Sequence, residues 1–363
     1  MRHVGAFVVF AAANALAADL PPADAVAAAQ ANPAGVAVPR PPWPAGDERG
    51  MGNTQGYGTR LRCAVHLADP ASREYELSWV RSETMPMSPF AAPLDYEYEP
   101  TFGPAFSRHA VNGETISGEP GNQGTQIDAL GHFGVLPTIW DPATGPIPSQ
   151  FAVYYNGYTQ AQVKPTPSSP LLRLGIEKMP PLVTSAVLLD ARKYLGAGQR
   201  LPAGYRITAA DINAMLQAQG LGGRGLLPGD VLYVYTGWQD LWQDPVMSDT
   251  YYSQAPGLAS DVAPMLKQKA IVAVGLDAPF VDPVNPGQLS GQAPPPVGTP
   301  PGLPFFNHHY LLTQAGIHLM ENLRLKPMAT DKAYLSCTLI LSLRERGGSG
   351  SAIRPVAYGR PFP

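Results

Sequence analysis

Apolar runs of strand length alternate with helical segments in the middle of this chain. Val183 to Asp190, Val231 to Tyr235 and Ile271 to Leu276 are nearly continuous apolar runs. Ile207 to Gly220 and Asp261 to Gln268 lie between them and are predicted to be helices. Strands that are apolar on both sides and separated by helices are typical of a buried parallel or mixed sheet. We therefore predict an α/β fold with a central mixed sheet.

Local signals set the ends of several elements. Thr208 and Asp211 form a capping-box-like start for the first of these helices, and Gly220 ends it. Three further elements are predicted: strands at Tyr75 to Val80 and Tyr334 to Leu343, and a short helix at His308 to Ala315 that Gly316 closes.

Composition limits the possible functions. The 363 residues include 37 Gly and 41 Pro, so much of the chain is expected to be ordered loop, as in the Pro-rich segments 135–180 and 281–304. A net charge of −3 without a basic cluster gives no basis for nucleic-acid binding. No apolar run reaches the roughly 18 residues of a membrane span. The sequence contains no nucleophile elbow and no Walker loop, and no G-x-G-x-x-G pattern follows a predicted strand.

The first residues resemble a secretion signal. Arg2 precedes an apolar run from Val4 to Ala13, and Ala15-Leu16-Ala17 before Ala18 fits a small-residue cleavage site. We predict a signal peptide at 1–18, an Ala/Pro-rich leader at 19–42, a folded domain at 43–363, and export to the periplasm or the medium. In an exported protein Cys63 and Cys337 could form a disulfide, but two buried thiols fit the sequence equally well.

One stretch, Gly121 to Gly134, is dense in polar side chains. Its strand-like alternation places Gln126 and Asp128 on the same side. His132 lies four residues after Asp128, and a helix starting after the strand would bring these two side chains together. A carboxylate beside an imidazole at the end of a strand suits a metal or acid/base site, although a single Asp and His at this spacing are more often structural.

A second polar cluster lies about 180 residues further along the chain. Glu321 alternates onto the apolar side of its segment, and burying a carboxylate there requires a partner or a metal. His308 and His309 precede it; alone, such a pair is more often a surface feature. Asp128, His132, one of these histidines and Glu321 would together suit Zn²⁺ or Mn²⁺. Spacing alone does not predict that the two clusters meet.

The first stretch resembles the signature of the metal-dependent cyclase family, which includes bacterial kynurenine formamidase. The family pattern H-x-G-T-H-x-D-x-P-x-H is here N-x-G-T-Q-x-D-x-L-x-H. Further landmarks follow in family order between residues 43 and 360: a Gly/acid turn at Trp43 to Asn53, Thr236-Gly237-Trp238 after a Pro-Gly-Asp strand, the block from His308 to Leu323, and Gly347 to Pro355.

This resemblance implies a single swivelling β/β/α domain, assembly into a homo-oligomer, and hydrolysis of an amide or ring C–N bond in small aromatic substrates. It implies that Asp128 and Glu321 are metal ligands. It places the distal histidine ligand at His308, with His309 as the alternative. His132 takes the role of proton donor and acceptor, and of a possible further ligand.

Two family histidines are replaced here by Asn122 and Gln126, and amide oxygens are weaker ligands for Zn²⁺ than imidazole. We therefore predict one divalent metal, Zn²⁺ or Mn²⁺, with Gln126 at most a distant or water-mediated ligand. Trp238, Phe102 and Phe106 are candidates for an aromatic substrate pocket, although core packing explains them equally well.

The sequence thus predicts metal-assisted hydrolysis in which His132 takes a proton from water and delivers it to the leaving nitrogen. One alternative is a related reaction in the same site, such as lactone or cyclic-imide hydrolysis or cyclisation of a small metabolite. Another is an exported binding protein with a degenerate metal site. A glycosidase-like pairing of Asp128 with Glu321 is a remote third.

Overall fold

A computed structural model describes residues 38–362, and its largest element is a nine-stranded mixed sheet. The predicted signal peptide and most of the predicted leader lie outside these residues. The strands of the chain are β1 (Arg73–Glu76), β2 (Asp95–Tyr98), β3 (Glu114–Ser117), β4 (Gln126–Asp128), β5 (Leu182–Asp190), β6 (Arg206–Ile207), β7 (Val231–Tyr235), β8 (Gly257–Leu258), β9 (Ala273–Leu276), β10 (His318–Glu321), β11 (Leu335–Ile340), β12 (Gly350–Ala352) and β13 (Val356–Gly359).

The strand order of the large sheet is β1-β13-β11-β5-β7-β9-β10-β4-β12. Its centre, from β5 through β7 and β9 to β10, is parallel, and the flanking pairs are antiparallel. β2 pairs with β3, and β6 with β8, in two separate two-stranded sheets. The mixed α/β fold predicted from the apolar pattern is therefore confirmed.

The helices are mostly short, as the high Gly and Pro content predicts. The α-helices are α1 (Tyr57–Ala68), α2 (Gln160–Val163), α3 (Ala191–Tyr194), α4 (Ala209–Ala218), α5 (Thr250–Ser253), α6 (Val262–Lys269), α7 (Phe306–His308) and α8 (Lys326–Thr330). Single 3₁₀ turns lie at Gly50–Thr54, Pro120–Asn122, Pro142–Thr144, Ser149–Phe151, Tyr155–Gly157, Ile176–Lys178 and Trp238–Leu241.

Several predicted boundaries hold closely. β7 has the predicted ends, and α4 begins after a Thr208–Asp211 capping box in which each side chain bonds the other residue's backbone N–H. The segment predicted as a plain helix before Gly316 differs: α7 ends at His308, and a π-helix follows at His309–Ala315. Single-turn π-helices inside longer helices are frequent at functional sites.

The turn at Trp43 to Asn53 closes onto the end of this π-helix. Asp47 accepts hydrogen bonds from the Gly50 N–H at 2.9 Å and from the Tyr155 hydroxyl at 2.9 Å. Gly50 and Gly316 both have positive φ, and a Cβ on Gly50 would lie 2.3 Å from the carbonyl oxygen of Gly316. Only glycine fits this close backbone approach, which fixes the helix that carries His308.

The core lies on both faces of the parallel strands. All five residues of β7 and all four of β9 are buried, and α1 packs across β5 and β11. A disulfide joins Cys63 in α1 to Cys337 in β11. Of the two states that the sequence left open for these cysteines, the structure contains the disulfide.

Beside this disulfide lies a buried ion cluster centred on Asp230, which is fully buried. Arg224 donates to both of its oxygens, at 2.6 and 3.1 Å, and the Ser185 hydroxyl donates at 2.5 Å. The backbone N–H of Leu227 donates at 2.8 Å, and Arg62 lies 3.5 Å away. Asp230 therefore has all the donors that a buried carboxylate needs.

Candidate metal centre and substrate cavity

Three acidic and basic side chains from distant parts of the chain meet at one edge of the sheet. Asp128, His308 and Glu321 each offer a ligand atom, and these atoms lie within 4.8 Å of one another. Within residues 38–362 this is the only such group of three His, Cys, Asp or Glu residues. The two polar clusters are therefore adjacent, which their spacing in the sequence could not predict.

Strand pairing produces this meeting. β4 runs antiparallel to β10, and Gln126 lies directly opposite Glu321 in the register. Side chains at opposed positions share a face of the sheet, and Asp128 is two residues from Gln126 on the same face. The predicted alternation in this stretch is confirmed. His308 reaches the same place from the end of α7.

Asp128 is fully buried, and neither of its carboxylate oxygens has a hydrogen-bond partner among the described residues. Burial raises the pKa of Asp128 to about 6 and Glu321 acts with it, while His132, His308 and the nearby Gln126 amide act in the opposite direction. Leaving a buried carboxylate without donors is costly. A cation held at these oxygens would remove that cost, so the donor set fits a metal.

His308 is held between carboxylates. Its Nδ1 donates to Asp282 at 2.7 Å, and its Nε2 lies 3.1 Å from Glu321 and 3.7 Å from Asp128. Burial lowers the pKa of His308, but the hydrogen bonds to Asp282 and Glu321 outweigh it and raise the pKa well above its ordinary value. The ring therefore favours its protonated form in this arrangement, and metal binding at Nε2 would release that proton.

Asp282 orients His308 from the side away from the cluster. Its carboxylate accepts from the backbone N–H groups of Asn307 and His308 and from the Asn307 side chain, at 2.7 to 3.1 Å. A carboxylate that accepts from the outer nitrogen of a histidine fixes the ring and leaves the other nitrogen for a metal. Sequence reasoning placed Asp282 in a Pro/Gly insert and missed this role.

Glu321 is buried and shared among three donors. Its Oε1 accepts from the Val281 N–H at 3.2 Å and lies beside His308, and its Oε2 accepts from the Gln126 amide at 3.1 Å. Burial raises the pKa of Glu321, while His308 acts against this. Gln126 thus presents its nitrogen to the cluster. Its oxygen, the atom predicted as a distant ligand, has no partner among the described residues.

His132 lies beside the three-residue group, in the wall of the cavity described below. The chain makes a turn after β4, with the His132 N–H donating to the Ala129 carbonyl at 3.0 Å, and does not start the helix on which the predicted Asp128–His132 contact depended. The two residues are nevertheless close enough to interact electrostatically. Burial lowers the pKa of His132 and outweighs the opposing effect of Asp128, so the ring is neutral at pH 7.

The other histidines near the cluster point elsewhere. His309 contacts the Phe306 ring at 6.2 Å between centroids, and its Nδ1 lies 3.5 Å from the Thr313 hydroxyl. It is not part of the metal-like group, so His308 is favoured over its alternative. His318 is buried and donates to the backbone carbonyl of Asp128 at 2.8 Å, a support that the sequence did not suggest.

The cluster opens into a cavity of about 360 Å³. One wall is polar and includes Asn122, whose amide donates to Glu119 and, at 3.3 Å, to Ser349. The opposite wall is aromatic. The lining residues are Ser88, Phe90, Glu119, Asn122, Gln126, His132, Phe133, Tyr252, Pro279, Phe280, Phe305, His308, Glu321 and Ser349. Its size and mainly apolar lining suit a small aromatic molecule.

The aromatic residues predicted for the substrate pocket do not line this cavity. Phe102 is 53% exposed and Phe106 is fully exposed, both in the segment between β2 and β3. Trp238 is buried in the core, where its indole N–H donates to the Tyr251 carbonyl. The sequence showed aromatic residues but not which ones converge, because no periodic pattern connects the loops that carry them.

The family model described as putative cyclase matches residues 40–283 of this chain. Kynurenine formamidase from Bacillus thuringiensis (strain Al Hakam) is 33% identical over 103 residues, which are 28% of this chain and 41% of that protein. The enzyme of the same name from Bacillus anthracis is 32% identical over 103 residues, with the same shares. The chain thus spans less than half the length of these curated relatives.

Solved structures share the fold over most of the chain. A protein described as a novel cyclase is 25% identical, with a TM-score of 0.68, over 87% of this chain and 97% of its own. Isatin hydrolase A from Ralstonia solanacearum is 17% identical, with a TM-score of 0.53, over 82% of this chain and 95% of its own. Isatin hydrolase A from Labrenzia aggregata, bound to benzyl benzoate, has a TM-score of 0.52 at 17% identity and covers 82% and 97%. With the family model matching well over half of its residues, this chain belongs to the putative cyclase family.

Proposed function

We propose that this protein is a metal-dependent hydrolase that cleaves an amide or ring C–N bond in a small aromatic substrate. The observation that carries the proposal is the buried carboxylate of Asp128, which accepts no hydrogen bond of normal geometry from the described residues and lies beside His308 and Glu321, two residues of the cavity wall. Native proteins seldom leave such a group unpaired without a ligand or a catalytic role for it.

Asp128, His308 and Glu321 would hold one divalent metal, for which Zn²⁺ and Mn²⁺ fit the mixed oxygen and nitrogen donors. When bound, such a metal supplies a Lewis acid that polarises a carbonyl and makes water more acidic. Asp282 fixes the orientation of the His308 ring through its Nδ1, and the Gln126 amide restrains the Glu321 carboxylate. These contacts pre-orient the ligands before a substrate enters.

His132 is the side chain best placed to move protons. It lines the cavity next to Asp128, and its lowered pKa leaves a neutral ring able to accept a proton from water at pH 7. The same ring can then return that proton to the departing nitrogen. The aromatic wall, including Phe90, Phe280 and Phe305, would hold the substrate ring and exclude bulk water.

The named relatives support the substrate class. Kynurenine formamidases and isatin hydrolases both appear among the proteins similar to this chain, and their names point to an amide or cyclic amide next to an aromatic ring. Lactone or cyclic-imide hydrolysis and metabolite cyclisation would use the same groups and stay as alternatives within this site.

Elemental analysis of the purified protein, combined with an activity screen, tests the proposal. We expect one Zn²⁺ or Mn²⁺ per chain and turnover of N-formyl aromatic amines, isatin-like rings or lactones. As a control, Phe106→Ala should leave both metal content and turnover unchanged, since Phe106 is fully exposed and outside the cavity. A protein that takes up no divalent metal would contradict the metal assignment, and metal uptake without any turnover would contradict the enzyme.

A second candidate is a non-catalytic binding protein, favoured by one observation. Gln126 stands where the family motif has histidine, and its amide nitrogen donates to Oε2 of Glu321. One carboxylate oxygen of a candidate metal ligand is therefore engaged in a structural contact. A metal-free protein that binds an aromatic ligand without turning it over would favour this second function.

We further propose export to the periplasm or the medium, and homo-oligomeric assembly. The Cys63–Cys337 disulfide supports export, because stable disulfides belong mainly to oxidising compartments. Among the described residues, no helix has the length and apolarity needed to cross a bilayer. N-terminal sequencing of the exported protein tests cleavage after residue 18, and light scattering measures the oligomeric state.

A further inference from the structure

Tyr252 lies at the boundary between two cavities. It belongs to α5, is buried, and lines both the 360 Å³ cavity beside the metal cluster and a neighbouring cavity of about 400 Å³. Its ring packs edge-on against Tyr251 and Phe280, with centroids 5.2 and 6.3 Å apart. These contacts hold the ring in place and set the direction of its hydroxyl.

The hydroxyl of Tyr252 is buried and makes no hydrogen bond that meets normal geometric limits within the described residues. The neighbouring tyrosine differs, because the Tyr251 hydroxyl donates to Asn322 at 3.0 Å. An unsatisfied buried polar group costs roughly 1–3 kcal/mol. The Tyr251 hydroxyl thus has an acceptor within the chain, whereas the Tyr252 hydroxyl lies near the Asn322 amide, which is a donor, and has no acceptor among the described residues for its own O–H.

The electrostatic surroundings keep this hydroxyl protonated. Burial raises the pKa of Tyr252 far above its ordinary value, and the negative charge of Glu321 acts in the same direction, while the Asn322 amide acts against both. A tyrosine with a raised pKa is protonated at neutral pH and can donate a hydrogen bond there.

Three other polar side chains of the cavity already make hydrogen bonds or ion pairs within the chain. The Gln126 amide donates to Glu321, the Asn122 amide to Glu119 and Ser349, and His308 lies between Asp282 and Glu321. Since no described residue accepts from the Tyr252 hydroxyl, its O–H is left for an acceptor brought by the ligand. In an amide, that acceptor is the carbonyl oxygen.

We propose that Tyr252 donates a hydrogen bond to the carbonyl oxygen of the scissile amide and stabilises the negative charge that this oxygen gains during hydrolysis. The inference rests on the proposed function. It assigns the carbonyl end of the substrate to the Tyr252 side of the cavity and the aromatic ring to Phe90 and Phe305. Donors aimed at a developing oxyanion act mainly on kcat, because they bind the transition state more strongly than the substrate.

Tyr252→Phe tests this inference, since it removes the hydroxyl and keeps the ring packing. On the aromatic amide that the wild type hydrolyses best, we expect kcat to fall roughly 10²- to 10³-fold with a small change in KM and unchanged metal content. The control is Tyr233→Phe, which removes a fully buried hydroxyl that bonds Thr338 away from the cavity. It should lower stability and leave kcat unchanged.

Binding of formanilide, an N-formyl aromatic amine, to metal-depleted protein separates this inference from the proposed function. Calorimetry should show binding to Tyr252→Phe only about two- to threefold weaker than to the wild type, because the hydroxyl interacts more strongly with the developing oxyanion than with the carbonyl of the bound substrate. Kinetics and binding equal to the wild type in this variant would overturn the inference while leaving the enzyme in place. A wild type that hydrolyses nothing would overturn both the proposed function and the transition-state role of Tyr252, whereas a wild type that hydrolyses the amide together with an unaffected variant would overturn the inference alone.

Discussion

Two fully buried aspartates of this protein have opposite surroundings. Asp230 accepts hydrogen bonds from Arg224, Ser185 and a backbone N–H, and a second arginine lies 3.5 Å away. Asp128 is equally buried, but within residues 38–362 neither of its oxygens accepts a hydrogen bond of normal geometry. Both sit near sheet strands in a low-dielectric core, so burial alone does not separate them.

The difference shows what each carboxylate is for. The donors around Asp230 compensate for its desolvation within the chain, which makes it part of the folding energy. Asp128 lies beside Glu321 and 3.7 Å from His308 and accepts no hydrogen bond of normal geometry from the described residues, so a bound cation would compensate its charge more fully than these neighbours do. A buried carboxylate without a partner is therefore the more informative of the two about function.

Exchanging each aspartate for asparagine gives the largest expected effects. Asp128→Asn should bind no metal, and its turnover should fall at least 10³-fold. The stability of the metal-free protein should not fall, because the substitution removes an unpaired buried charge. Asp230→Asn should lower the free energy of unfolding by about 3–5 kcal/mol, since Arg62 and Arg224 lose their shared anion. Elemental analysis and urea unfolding in a chelator measure the two properties separately. Equal destabilisation by both substitutions would remove the contrast.

Metal removal gives the next largest effect. Dialysis against a chelator should lower the thermal midpoint of the wild type, because a ligand at 100 times its Kd stabilises the folded state by about 2.7 kcal/mol. Asp128→Asn, which should bind no metal, should show the same midpoint with and without the chelator. Scanning calorimetry decides this, and a chelator shift of wild-type size in the variant would place the metal elsewhere.

Asp282→Asn sharpens the role of the histidine support. Its carboxylate holds the outer nitrogen of His308, so its loss should weaken metal binding roughly 10- to 100-fold with less effect on unfolding. Competition with a chromogenic chelator measures the Kd. The matched control is Asp261→Asn, an exposed carboxylate away from the cluster, which should bind metal like the wild type. An unchanged metal Kd in Asp282→Asn would show that Asp282 supports the fold and not metal binding.

The smallest effect concerns His66, which lies near the Asp230 cluster. Burial, and then the positive charge of Arg224, lower its pKa to about 4. Because the unfolded chain takes up this proton near pH 6.5 and the folded chain only near 4, stability should fall as pH drops through that window. The difference at pH 5 should be about 1 kcal/mol, reduced by partial solvent screening. Urea midpoints at pH 7 and 5 should differ less in His66→Gln, and an identical pH dependence would refute this.

Local patterns predicted the elements that local physics controls. The apolar run of β7 and the Thr208–Asp211 capping box need only neighbouring residues, and both are confirmed. The resemblance placed Asp128 and Glu321 together, and β4–β10 pairing places them there.

The support of His308 by Asp282 and the unpaired hydroxyl of Tyr252 arise from contacts across loops without periodicity, and the sequence carried no signal for either. The aromatic candidates Phe102 and Phe106 show the same limit, because composition does not tell which loop residues point inward.

The disulfide has a consequence for how the chain responds to cleavage. Cys63 and Cys337 are 274 residues apart and enclose Asp128, His308 and Glu321 in one covalent ring. A single cut in the Pro-rich segment 281–304 would put Asp128 on one fragment and the other two residues on the next. The two fragments would stay linked and would migrate separately only after reduction, so a nicked protein could retain every ligand of the candidate centre.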